Sequence, residues 1–153
     1  MSKSETRKSK EGKKTMTRTT YTHKKTYYSR NTGADAQANM RAQYGQDPRA
    51  DRNKGGADIV INGKGYQIKS ARATACHGLN PDNARAEYAA ADGFIFIDIN
   101  TERAYIMNFD EYVEMVREFG EASIESPKNG GTKKIRFNRE FKRQSEYLEA
   151  RAE

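Results

Sequence analysis

Asp58, Gln67 and Lys69 combine a carboxylate, an amide and an ammonium within twelve residues, in the runs Ala57-Asp58-Ile59-Val60-Ile61 and Tyr66-Gln67-Ile68-Lys69-Ser70. A carboxylate oxygen and a carbonyl oxygen are hard ligands suited to Mg²⁺, which keeps its other positions for water and substrate phosphate. Mn²⁺ is the natural substitute. Such a metal lowers the pKa of a bound water and screens charge on the phosphate. A lysine on the same face, two residues from a ligand, can orient the attacking water and stabilise the extra negative charge of the transition state. The chemistry this set supports is metal-assisted phosphodiester hydrolysis.

Two strands of a hairpin would hold these groups together. Ala57–Ile61 and Tyr66–Ser70 are rich in β-formers and flank Asn62-Gly63-Lys64-Gly65, a strong turn signal. A loop symmetric about Gly63 and Lys64 gives facing residues whose numbers sum to 127, with Asp58 opposite Lys69 and Val60 opposite Gln67. A tighter Asn62-Gly63 turn gives 125. Because side chains alternate along a strand, both registers put Asp58, Val60, Gln67 and Lys69 on one face and Ile59, Ile61, Tyr66 and Ile68 on the other. An even sum would mix polar and apolar residues on both faces, which register selection disfavours.

Around the hairpin the pattern predicts a helix over Ala34–Gly45, a loop from Asp47-Pro48 to Gly55-Gly56, and a helix from Pro81 through Ala91. Gly93–Ile99 is a continuous apolar run suited to a doubly covered strand, and Ala104–Met107 returns as another. A helix follows with Tyr112, Val113, Val116 and Phe119 on one stripe and Gly120 as its stop. Lys133–Phe137 reads as a strand and 138–150 as a charged final helix. The expected order is α-β-β-α-β-β-α-β-α, an α/β fold behind a flexible basic arm.

That arm holds most of the charge. Of a net +7, residues 1–30 contribute ten basic side chains against two acidic ones, while the rest nets −1. A near-neutral body with a cationic arm suits a phosphate-bearing partner. The first 15 residues have nothing to bury and are expected to be disordered; a solubilising tail is the plain alternative for them. From Thr15 to Tyr28, basic residues are interleaved with threonines and tyrosines, which suits a strand or arm lying along a nucleic-acid backbone. Arg18, Lys24, Lys25 and Arg30 are the candidate contacts there, joined past the hairpin by Ser70 and Arg72. The expected division is 1–30 arm and 31–153 nuclease-like domain.

One cysteine, Cys76, excludes an internal disulfide, and with only His23 and His77 it excludes a Cys/His zinc site within one chain. No apolar run reaches membrane-spanning length and the N-terminus lacks a signal-peptide core, so no membrane association is expected. Asp98, ending the apolar strand, reads as a turn carboxylate before a second metal residue, and His77 as an incidental loop histidine.

Gly56-Ala57-Asp58-Ile59-Val60 and Gln67-Ile68-Lys69, with the short hairpin between them and the α-then-β layout after, resemble the PD-(D/E)XK nuclease superfamily of restriction enzymes, Holliday-junction resolvases and some homing endonucleases. The resemblance covers about Gly33 to Phe119 and leaves the arm outside. It implies a restriction-endonuclease-like mixed β-sheet flanked by helices. Asp58 becomes the metal ligand, Gln67 fills the (D/E) position, Ile68 lends its backbone carbonyl to the metal, and Lys69 is the catalytic lysine. An additional acidic ligand from the preceding helix falls to Asp35, with Gln37 and Asp47 competing. Ala57 stands where the motif has proline, and Gln67 where it has a carboxylate, as in some homing-type relatives; the second change removes one negative charge from the metal site.

The expected function is therefore a Mg²⁺-dependent DNA endonuclease leaving a 5′-phosphate, needing no small-molecule cofactor. Double-strand cleavage by so small a chain calls for a homodimer or higher assembly. The expected setting is the cytoplasm of a bacterial or phage-infected cell, in restriction, homing or a mobile element. The competing expectation is a non-catalytic nucleic-acid-binding protein on a degenerate nuclease fold.

Overall fold

Gly93–Asp98 (β5) is buried at every position, and its alternation divides the protein into two half-cores. Phe94 and Phe96 point to one side, where Phe94 stacks on Tyr112 with ring centroids 4.2 Å apart. Ile95 and Ile97 point to the other, against Ala36, Met40, Ile59 and Ile68. Burying each such side chain is worth about 1.5–3 kcal/mol, which is why an all-apolar run settles as a central strand. The computed structural model describes residues 15–25, 27, 31–49, 57–72, 78–122, 133–135 and 137–153.

β5 lies in a five-stranded mixed sheet with Thr17–Thr20 (β1), Ile59–Ile61 (β2), Lys64–Ala71 (β3) and Arg103–Asn108 (β6), in the order β1-β6-β5-β3-β2. β3 and β5 run parallel; every other neighbouring pair is antiparallel. Gly78–Leu79 (β4), Gly120–Ala122 (β7) and Lys133–Ile135 (β8) form a second, antiparallel sheet in the order β4-β8-β7. Helices flank the main sheet, so the α/β class expected from the sequence is present.

Thr32–Gln43 (α1) starts where the Asn31 side chain accepts the Ala34 N–H at 2.9 Å. Its small Ala36, one turn before Met40, lets it lie close on the Ile95–Ile97 side of the sheet. Phe109–Phe119 (α3) covers the opposite side. Asn108 and Glu111 close a reciprocal capping box at its start, and Phe109, Tyr112, Met115, Val116 and Phe119 form its buried stripe. Val113, expected on that stripe, is only partly buried. Gly120 does end α3, in an extended conformation that runs straight into β7. Phe137–Arg151 (α4) completes this side with Leu148.

The helix expected from Pro81 through Ala91 is a single turn, Ala84–Glu87 (α2). Asn83 supplies no side-chain cap, and Tyr88 leaves helical geometry because the chain must rejoin the sheet at once. There Asp92 N donates to the Gly65 carbonyl at 2.8 Å, and Asp92 Oδ2 accepts the Gly65 N–H at 2.8 Å.

Part of the segment expected to be an arm, residues 1–30, is built into the sheet. Residues 17–20 are an edge strand of the main sheet, paired Thr17 to Ile106 through Thr20 to Arg103. The chain's last residues lie beside it: Arg18 N donates to the Glu153 carbonyl and Glu153 N to the Met16 carbonyl, each at 3.0 Å. A polar Thr-Arg-Thr-Thr strand suits an edge, where one face meets water. Residues 1–14, Arg30, Cys76 and His77 lie outside the described residues. No helix among the described residues is long and apolar enough to cross a membrane.

Candidate active site

Asn62 and Gly63 decide how the three candidate residues face one another. Both have positive φ, 52° and 79°, the geometry of a two-residue turn whose twist matches that of its strands. Ile59 therefore pairs with Tyr66 and Ile61 with Lys64, a sum of 125, so the tighter of the two expected registers is the real one. Asp58 stands at the position facing Gln67, one residue before β2 begins; it does not face Lys69.

Asp58 is buried, with 2% of its surface exposed. Its Oδ2 accepts the Ile68 N–H at 2.9 Å. Its own N–H donates to the Tyr66 carbonyl at 3.0 Å, and its carbonyl accepts from Arg41 Nε at 2.8 Å. A carboxylate accepting a backbone N–H is a charge-assisted bond, and here it continues the ladder past the point where β2 ends. In an antiparallel strand the N–H and C=O of one residue point the same way. The Ile68 carbonyl thus points to the same side as the N–H that Asp58 holds, beyond the start of β2.

Gln67 and Lys69 flank Ile68 and by alternation share the opposite face from it, toward Phe94 and Phe96, their register partners on β5. Gln67 is buried and Lys69 half-buried. The Lys69 Nζ donates to the Tyr88 hydroxyl at 2.6 Å and lies 4.7 Å from the centroid of that ring. Tyr88 in turn packs edge-on against Phe94 at 5.4 Å. Asp58, Gln67, Ile68 and Lys69 are thus gathered where β2 begins, with Tyr88 beside the lysine.

Asp35 is not part of this group. It is buried in the first turn of α1, on the Ile95–Ile97 side of the sheet, where its charge acts on Tyr21 and His23. Of its competitors, Gln37 is on the same helix and Asp47 is exposed, its Oδ1 accepting the Arg49 N–H at 3.0 Å. Among the described residues, no group of three or more His, Cys, Asp or Glu side chains is arranged to hold a metal. What the described residues leave for a metal is one carboxylate and neighbouring carbonyl oxygens.

The candidate nucleic-acid contacts are scattered. Lys24 and Lys25 are exposed on the segment after β1; Ser70, near the far end of β3, and Arg72, just past it, are half-buried. Arg18 is committed elsewhere: it pairs with Glu149, which also meets Arg103 at 3.0 Å and accepts from the Tyr105 hydroxyl. Burial pushes the Tyr105 hydroxyl far above its ordinary range, and the neighbouring Glu149 carboxylate adds to the shift. Asp98 is fully buried and its Oδ1 caps the turn at Asn100 and Thr101, as the turn reading expects; burial raises its pKa.

Tyr88 is the residue that sequence reasoning left without a role. Its only mark is an aromatic in an otherwise small, polar segment between the hairpin and β5. No family model, curated protein or solved structure matches the chain.

Proposed function

We propose that the protein is a Mg²⁺-dependent DNA endonuclease of the restriction-endonuclease-like type, hydrolysing phosphodiester bonds to leave a 5′-phosphate. One observation carries the reading: the Asp58 carboxylate bonded to the Ile68 N–H, with Lys69 one residue further along β3. The donors fit a hard divalent ion, since Mg²⁺ is commonly held by one or two carboxylates and keeps several waters. Asp58, the Gln67 side-chain carbonyl and the Ile68 backbone carbonyl would hold it; Mn²⁺ fits the same oxygens. Bound there, it would supply a water of lowered pKa and charge screening for the phosphate.

Lys69 brings a positive charge to the reacting phosphate and a donor for the attacking water. Tyr88 fixes that ammonium through its hydroxyl and its ring face. The Ile68 N–H orients Asp58, and Arg41 ties the Asp58 backbone to α1. With one such site per chain, double-strand cleavage requires two copies acting together.

Supercoiled plasmid incubated with the protein in Mg²⁺ or in EDTA tests the reading. Nicked or linear product in Mg²⁺ alone, absent with Lys69→Ala, is the expected result; undiminished cleavage by that variant rejects the assignment. The second reading, a non-catalytic nucleic-acid binder, is favoured by the neutral Gln67 and by the single carboxylate that the described residues bring to the site. It predicts salt-sensitive DNA retention with no Mg²⁺-dependent product.

A further inference from the structure

Between α1 and the segment after β1 lies an open cleft of about 210 Å³, lined by Thr22, Lys24, Tyr27, Asn39, Ala42 and Gln43. The cleavage chemistry uses none of these residues. Asn39, Ala42 and Gln43 recur at the three- and four-residue spacing of one helix face. Arg41, two residues from Asn39 and from Gln43, reaches the Asp58 carbonyl instead. The cleft and the hairpin thus lie on opposite flanks of α1, a helix diameter or on the order of 10 Å apart. Thr22, Lys24, Ala42 and Gln43 are exposed and Tyr27 is half-buried, so the cleft is open to a ligand.

The protein itself orients both amides. Asn39 Nδ2 donates to the Lys24 carbonyl at 3.0 Å, and Gln43 Nε2 donates to the Thr20 carbonyl at 2.7 Å. Only the NH₂ end of an amide can make those bonds, so each side chain keeps its carbonyl oxygen for a ligand. Two carbonyl oxygens call for N–H donors. Tyr27 adds a flat ring; Arg49, which is not part of the cleft lining, lies over that ring at 5.4 Å. Lys24 adds a positive charge. A flat ring bearing N–H donors and joined to an anion is the chemistry of an amino-bearing nucleotide. Its base stacks on the tyrosine, its amino group meets the amide oxygens, and its phosphate meets the lysine. A base inside a duplex has already spent its amino group on its partner and its faces on its neighbours, so the match is to an unpaired one.

We propose that this cleft binds an unpaired, amino-bearing base of a DNA strand, stacked on Tyr27, and that the preferred substrate is DNA with a single-stranded stretch. The inference rests on the nucleic-acid part of the reading above and not on its metal chemistry. 2-Aminopurine, an amino-bearing base whose fluorescence falls on stacking, is placed between thymines in a short single-stranded oligonucleotide, and the full chain is added in EDTA. The wild type should quench it, and Tyr27→Phe, which keeps the ring, should do the same. Tyr27→Leu should abolish the quench and weaken binding about tenfold. Ala42→Phe, which fills the cleft from an exposed helix position, should have the same effect. Circular dichroism checks that the variants are folded, and either one alone decides the point. Lys24→Ala should weaken binding and flatten its salt dependence while the bound base stays quenched.

No quench at saturating wild type overturns the base site, as does a quench unaltered in folded Tyr27→Leu or Ala42→Phe. Equal affinity and quenching with the oligonucleotide annealed to its complement overturns the need for an unpaired base. Binding of the free 2-aminopurine deoxynucleoside monophosphate as tightly as the oligonucleotide overturns the assignment to a strand. A Tyr27-dependent quench from a wild type that cleaves no plasmid in Mg²⁺ removes the nuclease reading and leaves the base site standing; cleavage without the quench does the reverse.

Discussion

The Lys69 ammonium is held by Tyr88 through two contacts at once, a 2.6 Å hydrogen bond to the hydroxyl and a 4.7 Å approach to the ring centroid. The two are separable. Tyr88→Phe keeps the ring and its attraction for a cation but removes the oxygen. If Lys69 acts on the reacting phosphate, Tyr88→Phe should lower plasmid cleavage about tenfold, matching the loss of one charge-assisted hydrogen bond. Tyr88→Ala should lower it further, and DNA retention on a gel should survive both changes. Equal cleavage by Tyr88→Phe and wild type would show that the hydroxyl does not position the lysine.

Gln67 faces Asp58 across the start of the hairpin and is the neutral member of the proposed metal set. Gln67→Glu restores a carboxylate there, so the Mg²⁺ concentration giving half-maximal cleavage should fall severalfold. Asp58→Asn should have the reverse effect. An asparagine carbonyl can still accept the Ile68 N–H, so the fold should persist while Mg²⁺-dependent cleavage drops at least a hundredfold. Thermal melts with and without Mg²⁺ give a readout independent of turnover. Wild type and Gln67→Glu should be stabilised by the ion, and Asp58→Asn should not.

Alternation in the hairpin made the polar and apolar faces legible, because any one-residue slip would have mixed them. It could not choose between sums of 125 and 127, since both keep the faces apart. The positive φ at Asn62 and Gly63 made that choice. Gly93–Asp98 was legible for a similar reason: only burial on both sides tolerates such a run. β4 and β7, two and three residues long, are too short for any periodicity to show. β1 was read as an arm because its threonines and arginine carry no apolar face, and what holds it is a partner strand far along the chain. The Lys69–Tyr88 relationship was hidden likewise: it joins residues whose spacing has no local meaning until the fold brings them together.

Gly93 opens β5 where backbone and ring leave no room. A Cβ there would lie 2.3 Å from the Met107 carbonyl oxygen and 2.9 Å from Cε1 of Tyr66. The first neighbour is backbone of the adjoining strand and cannot move without breaking the β5–β6 ladder. Gly93→Ala should cost about 3 kcal/mol or more, measured by urea unfolding. A loss under about 0.5 kcal/mol would mean that the two strands are spaced more widely at this point.

Glu149 links β1, β6 and α4 by accepting from Arg18, Arg103 and Tyr105. Partial burial pushes its pKa up, but the Tyr105 and Arg103 hydrogen bonds and the two arginine charges outweigh that, and the carboxyl ends below its usual 4.5. A carboxyl whose folded pKa is depressed contributes stability that is complete above the unfolded pKa and is lost as pH falls through the folded one. Glu149→Gln should therefore lower stability at pH 7 by about 1 kcal/mol, a modest value because the network is solvent-screened. In thermal melts that corresponds to about 2–4 °C. The difference from wild type should hold down to about pH 5 and narrow below pH 4.5, as the wild-type carboxylate takes up its proton. A gap that stays constant from pH 7 to pH 3 would show that the loss comes from packing and not from the carboxylate charge.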